Sequence, residues 1–178
     1  QVETYGLGGN AYLLINDGAG NFEERSPEVL QNIGMITDAK AVDLNQDGWE
    51  DLVVVGEWTG VKVFLNQQGS LKDASEDYGL ENTSGIWSSL EIADLNQDGF
   101  TDLIIGNAGT NSFYKSEMRL HVGDYDLNGS MEQIITERVH GKDYPIIDKD
   151  ELIKQIPSLK KEFLYYKDYA KASFDDVF

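Results

Sequence analysis

The sequence predicts a mainly β fold: about three blades, each a four-stranded antiparallel sheet, of an incomplete β-propeller, followed by a short α-helical C-terminal segment. Three observations predict it. One phrase is written twice, as AVDLNQDGWEDLVVV and IADLNQDGFTDLIIG, and a third time more loosely as GDYDLNGSMEQII. The first two copies begin their acidic loops at Asp43 and Asp94, 51 residues apart, which is within the repeat length of propeller blades. Around these phrases, short apolar runs bounded by Gly, Asn and Asp turn signals fill the first two-thirds of the chain.

Taken in order, residues 11–15 form an apolar run closed by the turn Asn16-Asp17-Gly18 and followed by Asn21-Phe22-Glu23. The same phrase returns as residues 61–65, Asn66 to Gly69, and Ser70-Leu71-Lys72. Each acidic loop has an incoming strand (39–42, 90–93, 120–122) and an outgoing one. The outgoing strands 52–55 and 103–105 are apolar at successive positions, the pattern of strands buried on both faces. One unit therefore reads strand, loop, strand, turn, strand, turn, strand. The step to the third loop, at Asp124, is only 30 residues, so that blade lacks a hairpin or takes its outer strands from elsewhere. Blades are expected over residues 1–145.

After Pro145 the period changes. Asp148 with Glu151 three residues on is a capping-box start, and Leu152, Ile156, Leu159, Phe163 and Tyr166 recur at helical spacing, interrupted by Pro157. Residues 146–178 are expected to form one or two short amphipathic helices packed on the blades. A lysine-rich membrane-surface helix is the alternative, and the modest stripe and acidic chain argue against it.

The loops carry the chemistry. Side-chain oxygens stand at every second position: Asp43, Asn45 and Asp47; Asp94, Asn96 and Asp98; Asp124, Asp126 and Asn128. A glycine follows in each, and an acid closes the loop three residues later: Asp51, Asp102 and Glu132. Acids this close repel one another unless a cation neutralises them, and an all-oxygen set suits a hard cation, calcium above all. The backbone carbonyls of Trp49, Phe100 and Ser130, at the seventh position, complete the expected ligand set. The helix-loop-helix calcium loop is ruled out, because its twelfth-position Glu is replaced by Val54, Ile105 and Ile135 inside strands. A single copy reads equally well as a polar Asx turn; repetition argues for the ion.

Composition narrows the function. The formal charge is −18, and residues 1–110 hold 19 acids against 4 bases. Nine acids are proposed ligands, so bound cations would cancel much of that charge. Such a field argues against nucleic acid and anionic membranes as partners. Cysteine is absent, which leaves no thiolate site, and no apolar stretch reaches the length of a membrane span. The chain opens on Gln within a repeat, the mark of a piece of a longer precursor whose targeting segment is out of view.

Other candidates are weighed against packing. Trp49 and Phe100 are expected to pack their rings between blades. Trp58 and Trp87, in Gly/Ser-rich surroundings, are candidates for stacking a sugar, with core packing the favoured alternative. His121 and His140 have neither zinc spacing nor a nucleophile motif beside them. The glycines fall in hairpins and acidic turns rather than in a phosphate loop.

On these residues the chain resembles the FG-GAP/VCBS-type repeats, and within them the bacterial surface or secreted proteins of the ASPIC/UnbV, cartilage-acidic-protein-like group. The phrases that carry the resemblance are DLNQDGWED, VVVGEW, VFLNQQGSL, LINDGAGNF, GLENTSGIWSSLEIADLNQDG, GNAGTNSFYK, DKDELIKQIPSLKKEF and YAKASFDDVF. The resemblance implies calcium ligands at Asp43, Asn45, Asp47 and Asp51, at Asp94, Asn96, Asp98 and Asp102, and at Asp124, Asp126, Asn128 and Glu132. It implies an extracellular, cell-surface or periplasmic module that binds or displays, with a protein or a glycan as ligand. The alternative is part of a propeller hydrolase or lyase acting on polysaccharide, which would need two further carboxylates flanking a bond. Too few blades are present to close a ring, so neighbouring blades of a parent chain, or self-association, are the expected partners of the open ends.

Overall fold

A computed structural model describes residues 6–108 and 117–178. They fall into two compact units, Leu7–Ala108 and, with Gly6, residues 117–178. The fold is mainly β with short C-terminal helices, as the sequence predicts.

In the first unit, the hairpin β1 (Leu14–Asn16) and β2 (Phe22–Glu24) turns through residues 17–21. A 3-10 turn (Glu28–Leu30) leads to β3 (Met35–Val42), the first acidic loop, and β4 (Asp51–Thr59). β5 (Lys62–Gln67) and β6 (Ser70–Asp73) complete a four-stranded antiparallel meander, β3-β4-β5-β6. The second repeat contributes β7 (Gly85–Ala93), its loop, and β8 (Asp102–Asn107). The far end of β4 crosses over to pair with β7, joining the two repeats.

β4 is buried on both faces because its valines divide between two cores. Val53 and Val55 pack with Val61, Val63 and Leu90; Val54 packs with Leu30, Ile33 and Phe64. Each such side chain contributes about 1.5–3 kcal/mol when buried. β8 departs from this expectation: Ile104, at the position of Val53, is 45% exposed where Val53 is 0%. The difference follows from neighbours, since among the described residues β8 is flanked by β7 alone, whereas β4 lies between β3 and β5.

The repeats are locked by polar contacts as well. The Asp38 carboxylate accepts the Leu90 N–H at 2.8 Å, the Thr37 hydroxyl donates to the Trp87 carbonyl at 2.8 Å, and Lys40 pairs with Glu91 at 3.2 Å. The Leu90 N–H holds the Asp38 carboxyl below the usual carboxylate range.

The second unit is a three-stranded antiparallel sheet, β9 (Met118–Gly123), β10 (Glu132–Val139) and β11 (Lys142–Pro145), followed by α1 (Lys149–Gln155), α2 (Leu159–Glu162), α3 (Tyr166–Tyr169) and α4 (Phe174–Val177). Asp148 caps α1 by accepting the N–H groups of Asp150 and Glu151, the N-cap half of the expected capping box, while the Glu151 carboxylate pairs with Lys154. Leu152, Ile156 and Leu159 close over Ile134 of β10, together with Tyr169, Ala172 and Val177. Two expectations are corrected here. There are four short helices rather than one or two: α1 ends at Gln155, just ahead of Pro157, and α2, α3 and α4 are four residues each. Tyr166, counted in the apolar stripe, is 56% exposed: its hydroxyl bonds Asp150 and its ring lies under the Lys149 ammonium, 4.9 Å from the centroid.

Candidate metal centre

The three acidic loops share the same backbone-to-side-chain bonds, and the first two add an amide bond, Asn45 to Asp47 and Asn96 to Asp98, that Asp126 has no amide to make. The first-position carboxylate accepts two backbone N–H groups in each: Asp43 from Asp47 and Gly48, Asp94 from Asp98 and Gly99, Asp124 from Asn128 and Gly129. The third-position oxygen accepts the same fifth-position N–H: Asn45 from Asp47, Asn96 from Asp98, Asp126 from Asn128. The fifth-position side chain takes the seventh-position N–H, of Trp49, Phe100 and Ser130, at 2.9, 2.9 and 2.7 Å. The closing acid reaches back to the second-position N–H: Asp51 to Leu44, Asp102 to Leu95, Glu132 to Tyr125.

This winding needs the left-handed region twice. The sixth-position glycines Gly48, Gly99 and Gly129 have φ of 89°, 86° and 89°. The fourth-position residues Gln46, Gln97 and Leu127 share it, at 60°, 63° and 59°. No residue type at position four signals this; the loop's own hydrogen bonds impose it.

Backbone bonds occupy two of the roughly four lone-pair sites on each first-position carboxylate, leaving the others to converge. In the third loop Asp124, Asp126 and Glu132 bring a ligand oxygen each to within 4.8 Å of one another. Oxygens on opposite sides of one calcium, at 2.3–2.6 Å each, would stand about 4.6–5.2 Å apart, so the donor set and spacing fit that ion. The Glu132 side chain, one methylene longer than Asp, therefore closes the third loop as Asp51 and Asp102 close theirs. Glu132 and Asp51 are both buried, at 5% and 1% exposure.

Two bonds extend the site beyond the residues the sequence singled out. Asp51 also accepts the Asn66 N–H at 2.7 Å, while the Asn66 amide donates to the Glu50 carbonyl, tying the loop to the β5–β6 turn. The Gln46 side chain donates to the Gly99 carbonyl at 3.0 Å, so the first two loops touch. The recurrence of Asn at the head of both hairpin turns, Asn16 and Asn66, was the available signal for the first; none existed for the second.

The aromatic expectations divide. Trp49 and Phe100, expected to pack between blades, are instead 45% and 62% exposed and belong to none of the buried clusters of the described residues. Trp87 is half-buried against the Val53–Leu90 core and donates its indole N–H to the Thr83 carbonyl at 2.9 Å. Trp58 is half-buried with φ of 57°. A cavity of about 580 Å³ lies apart from the loops, lined by Lys62, Asp73, Ser75, Glu76, Asp77 and Glu81 among others. His121, in the second unit, bonds the Thr136 hydroxyl at 2.9 Å and stacks on Phe174 at 3.9 Å between centroids.

Repeated acidic loops joining antiparallel strands define a blade-type repeat protein. The FG-GAP-like repeat model matches residues 4–54 and 43–105, and the chain belongs to that family. It is similar to integrin alpha-6 of Homo sapiens, 37% identical over 81 residues, or 39% of this chain and 7% of the relative. It is also similar to integrin alpha-3 of Mus musculus, 30% identical over 113 residues, covering 55% of this chain and 11% of that protein. The chain thus spans about a tenth or less of the curated relatives it matches. No solved structure matches it. Among the described residues, no helix is long and apolar enough to cross a membrane.

Proposed function

We propose that the chain is a binding or display module of extracellular or cell-surface type, its blades held by calcium in the three acidic loops. The observation that supports this is the set of backbone bonds the three loops share, together with the three acid oxygens of the third loop, within 4.8 Å of one another. Asp43, Asn45, Asp47 and Asp51 would hold one ion, Asp94, Asn96, Asp98 and Asp102 a second, and Asp124, Asp126, Asn128 and Glu132 a third. The carbonyls of Trp49, Phe100 and Ser130 would add a ligand each. Calcium would neutralise the converging acids and fix the strand pairs that the loops join. Similarity to integrin alpha chains supports the extracellular setting, and the sequence phrases support the ASPIC/UnbV-like group within the family.

On this reading the module is not an enzyme, and the ligand is a protein or a glycan met by exposed loop residues such as Trp49 and Phe100, with Trp58 and Trp87 as candidate stacking residues. A melting curve tests the metal part. Calcium should raise the melting temperature of chelator-treated protein, by about 1.4 kcal/mol of stability per site at tenfold saturation, and magnesium should do so less. Curves that coincide with and without calcium overturn it.

A further inference from the structure

The third loop differs from the first two in what its second residue does. Leu44, second in the first loop, packs on the Val53–Leu90 core, and Leu95, second in the next, is 63% exposed. The third loop has Tyr125 there, and its ring lies against α4. It meets Phe174 edge-on at 5.6 Å between centroids and Phe178 at a tilt, at 4.7 Å. Phe174 in turn stacks on His121 of β9, and Phe178 packs on Phe174 at 4.8 Å. Val177, 9% exposed, belongs to the core against which Tyr125 and Phe174 pack.

A second departure accompanies the first. The residue just ahead of the loop is Val42, Ala93 and Gly123 in turn. A Cβ at Gly123 would stand 3.0 Å from Cζ of the Tyr125 ring and 3.3 Å from its hydroxyl oxygen. Gly123 therefore leaves the space into which the ring folds back over the base of the loop. The backbone of Tyr125 is held by the acids themselves. It stands between Asp124 and Asp126, and its N–H donates to the Glu132 carboxylate at 2.8 Å. Those three acids bring their oxygens within 4.8 Å of one another, where like charges repel and a cation would draw them together. Spreading them moves the residue that lies between two and is bonded to the third, and carries its ring off Phe174 and Phe178.

We propose that filling of the third loop and docking of α4 are one coupled equilibrium, with Tyr125 the positioning residue that couples them. This rests on the reading of that loop as a calcium site. An ion that gathers Asp124, Asp126 and Glu132 fixes the Tyr125 ring where α4 packs, and α4 packed on the ring keeps the acids gathered. By linkage, the factor by which the ion favours docking equals the factor by which docking favours the ion. The first two loops have leucine at the second position and no glycine ahead of the loop, so α4 answers to the third loop.

Amide NMR of the 178-residue chain during a calcium titration reads both ends. The Gly129 N–H, bonded to Asp124, reports the third loop. The Asp176 and Phe178 N–H groups, bonded to the Ser173 and Phe174 carbonyls, report α4 through their hydrogen exchange. Calcium should shift Gly129 and slow exchange at Asp176 and Phe178 about fivefold or more. Tyr125→Leu, which installs the residue of the other two loops, should bind the ion more weakly by the same factor and lose the slowing. Tyr125→Phe should retain both. Phe174→Ala leaves the loop's own residues intact, yet should weaken the third-loop ion likewise while the Gly48 and Gly99 signals titrate as in wild type. Either variant serves if the other does not fold. A Gly129 signal that shifts while α4 exchange does not, slowing that survives Tyr125→Leu, or full third-loop affinity in Phe174→Ala overturns the coupling and leaves the calcium reading standing. A Gly129 signal that calcium does not move overturns the coupling together with that reading of the third loop.

Discussion

Asp51 accepts the Asn66 N–H at 2.7 Å, so the acid that closes the first loop also fixes the strand two turns later. Its other oxygen takes the Leu44 N–H at 3.0 Å, and the side chain is 1% exposed. One carboxylate thereby joins the start of the loop, the head of β4 and the end of β5. Asp47, four residues earlier, is exposed and bonds only within its own turn.

These two acids should separate structural from metal roles. Asp51→Ala strands two backbone donors and should cost about 3 kcal/mol without any metal present, as charge-assisted bonds to buried groups do. Asp47→Ala should cost less than about 1 kcal/mol under the same conditions, yet blunt the stabilisation by calcium. Urea denaturation in chelator, repeated in calcium, measures both.

Burial pushes the His121 imidazole below its ordinary value; Asp143 of β11 and Asp175 of α4 act to raise it, and Arg119 of β9 to lower it. Above about pH 6.5 the folded and unfolded chains both carry it neutral. As the pH falls below that value, the unfolded chain takes up a proton that the folded chain resists, so stability should decline until the depressed folded pKa is passed. His121→Gln keeps a partner for the Thr136 hydroxyl and should flatten this part of the stability–pH curve, read by denaturant midpoints from pH 5 to 7.

Tyr169 titrates at the other extreme. Burial pushes its hydroxyl up to about 12, and it donates to the Ile147 carbonyl at 2.8 Å, just ahead of α1. Stability due to this group is fully present below about pH 10, the ordinary tyrosine value, and is lost as the pH rises from there toward 12, because the unfolded chain ionises first. Tyr169→Phe should cost about 1 kcal/mol at neutral pH and lose less stability than wild type through the alkaline window. Matched melts at pH 8 and pH 11 give that comparison.

Much of this was legible in the chain. The hairpins β1–β2 and β5–β6 follow from an apolar run, an Asn-led turn and a second run, and the Asp148 cap follows from its Glu151 partner. Repetition located the loops, and alternating oxygens gave their chemistry. What periodicity does not carry is who stands beside whom. Ile104 and Val53 are equivalent in sequence and differ in burial, and among the described residues β4 lies between β3 and β5 while β8 is flanked by β7 alone. Trp49 and Phe100 read as core because aromatics usually are, yet they stand 45% and 62% exposed. The left-handed Gln46, Gln97 and Leu127 carry no residue signal at all. Ser173 with Asp176 caps α4 by the same rule that found α1, a signal present in the sequence and not taken up.

Calorimetric titration of calcium into metal-stripped protein tests the central claim most directly. The account predicts binding of at least two ions per chain, with dissociation constants of about 10⁻⁴–10⁻³ M, since the loops lack the bidentate twelfth-position acid of tighter sites. Asp43→Ala combined with Asp94→Ala should remove the ions of the first two loops. Titration heats no larger than those of dilution, in wild type as in the double variant, would contradict it and leave the three loops as polar turns held by their own backbone.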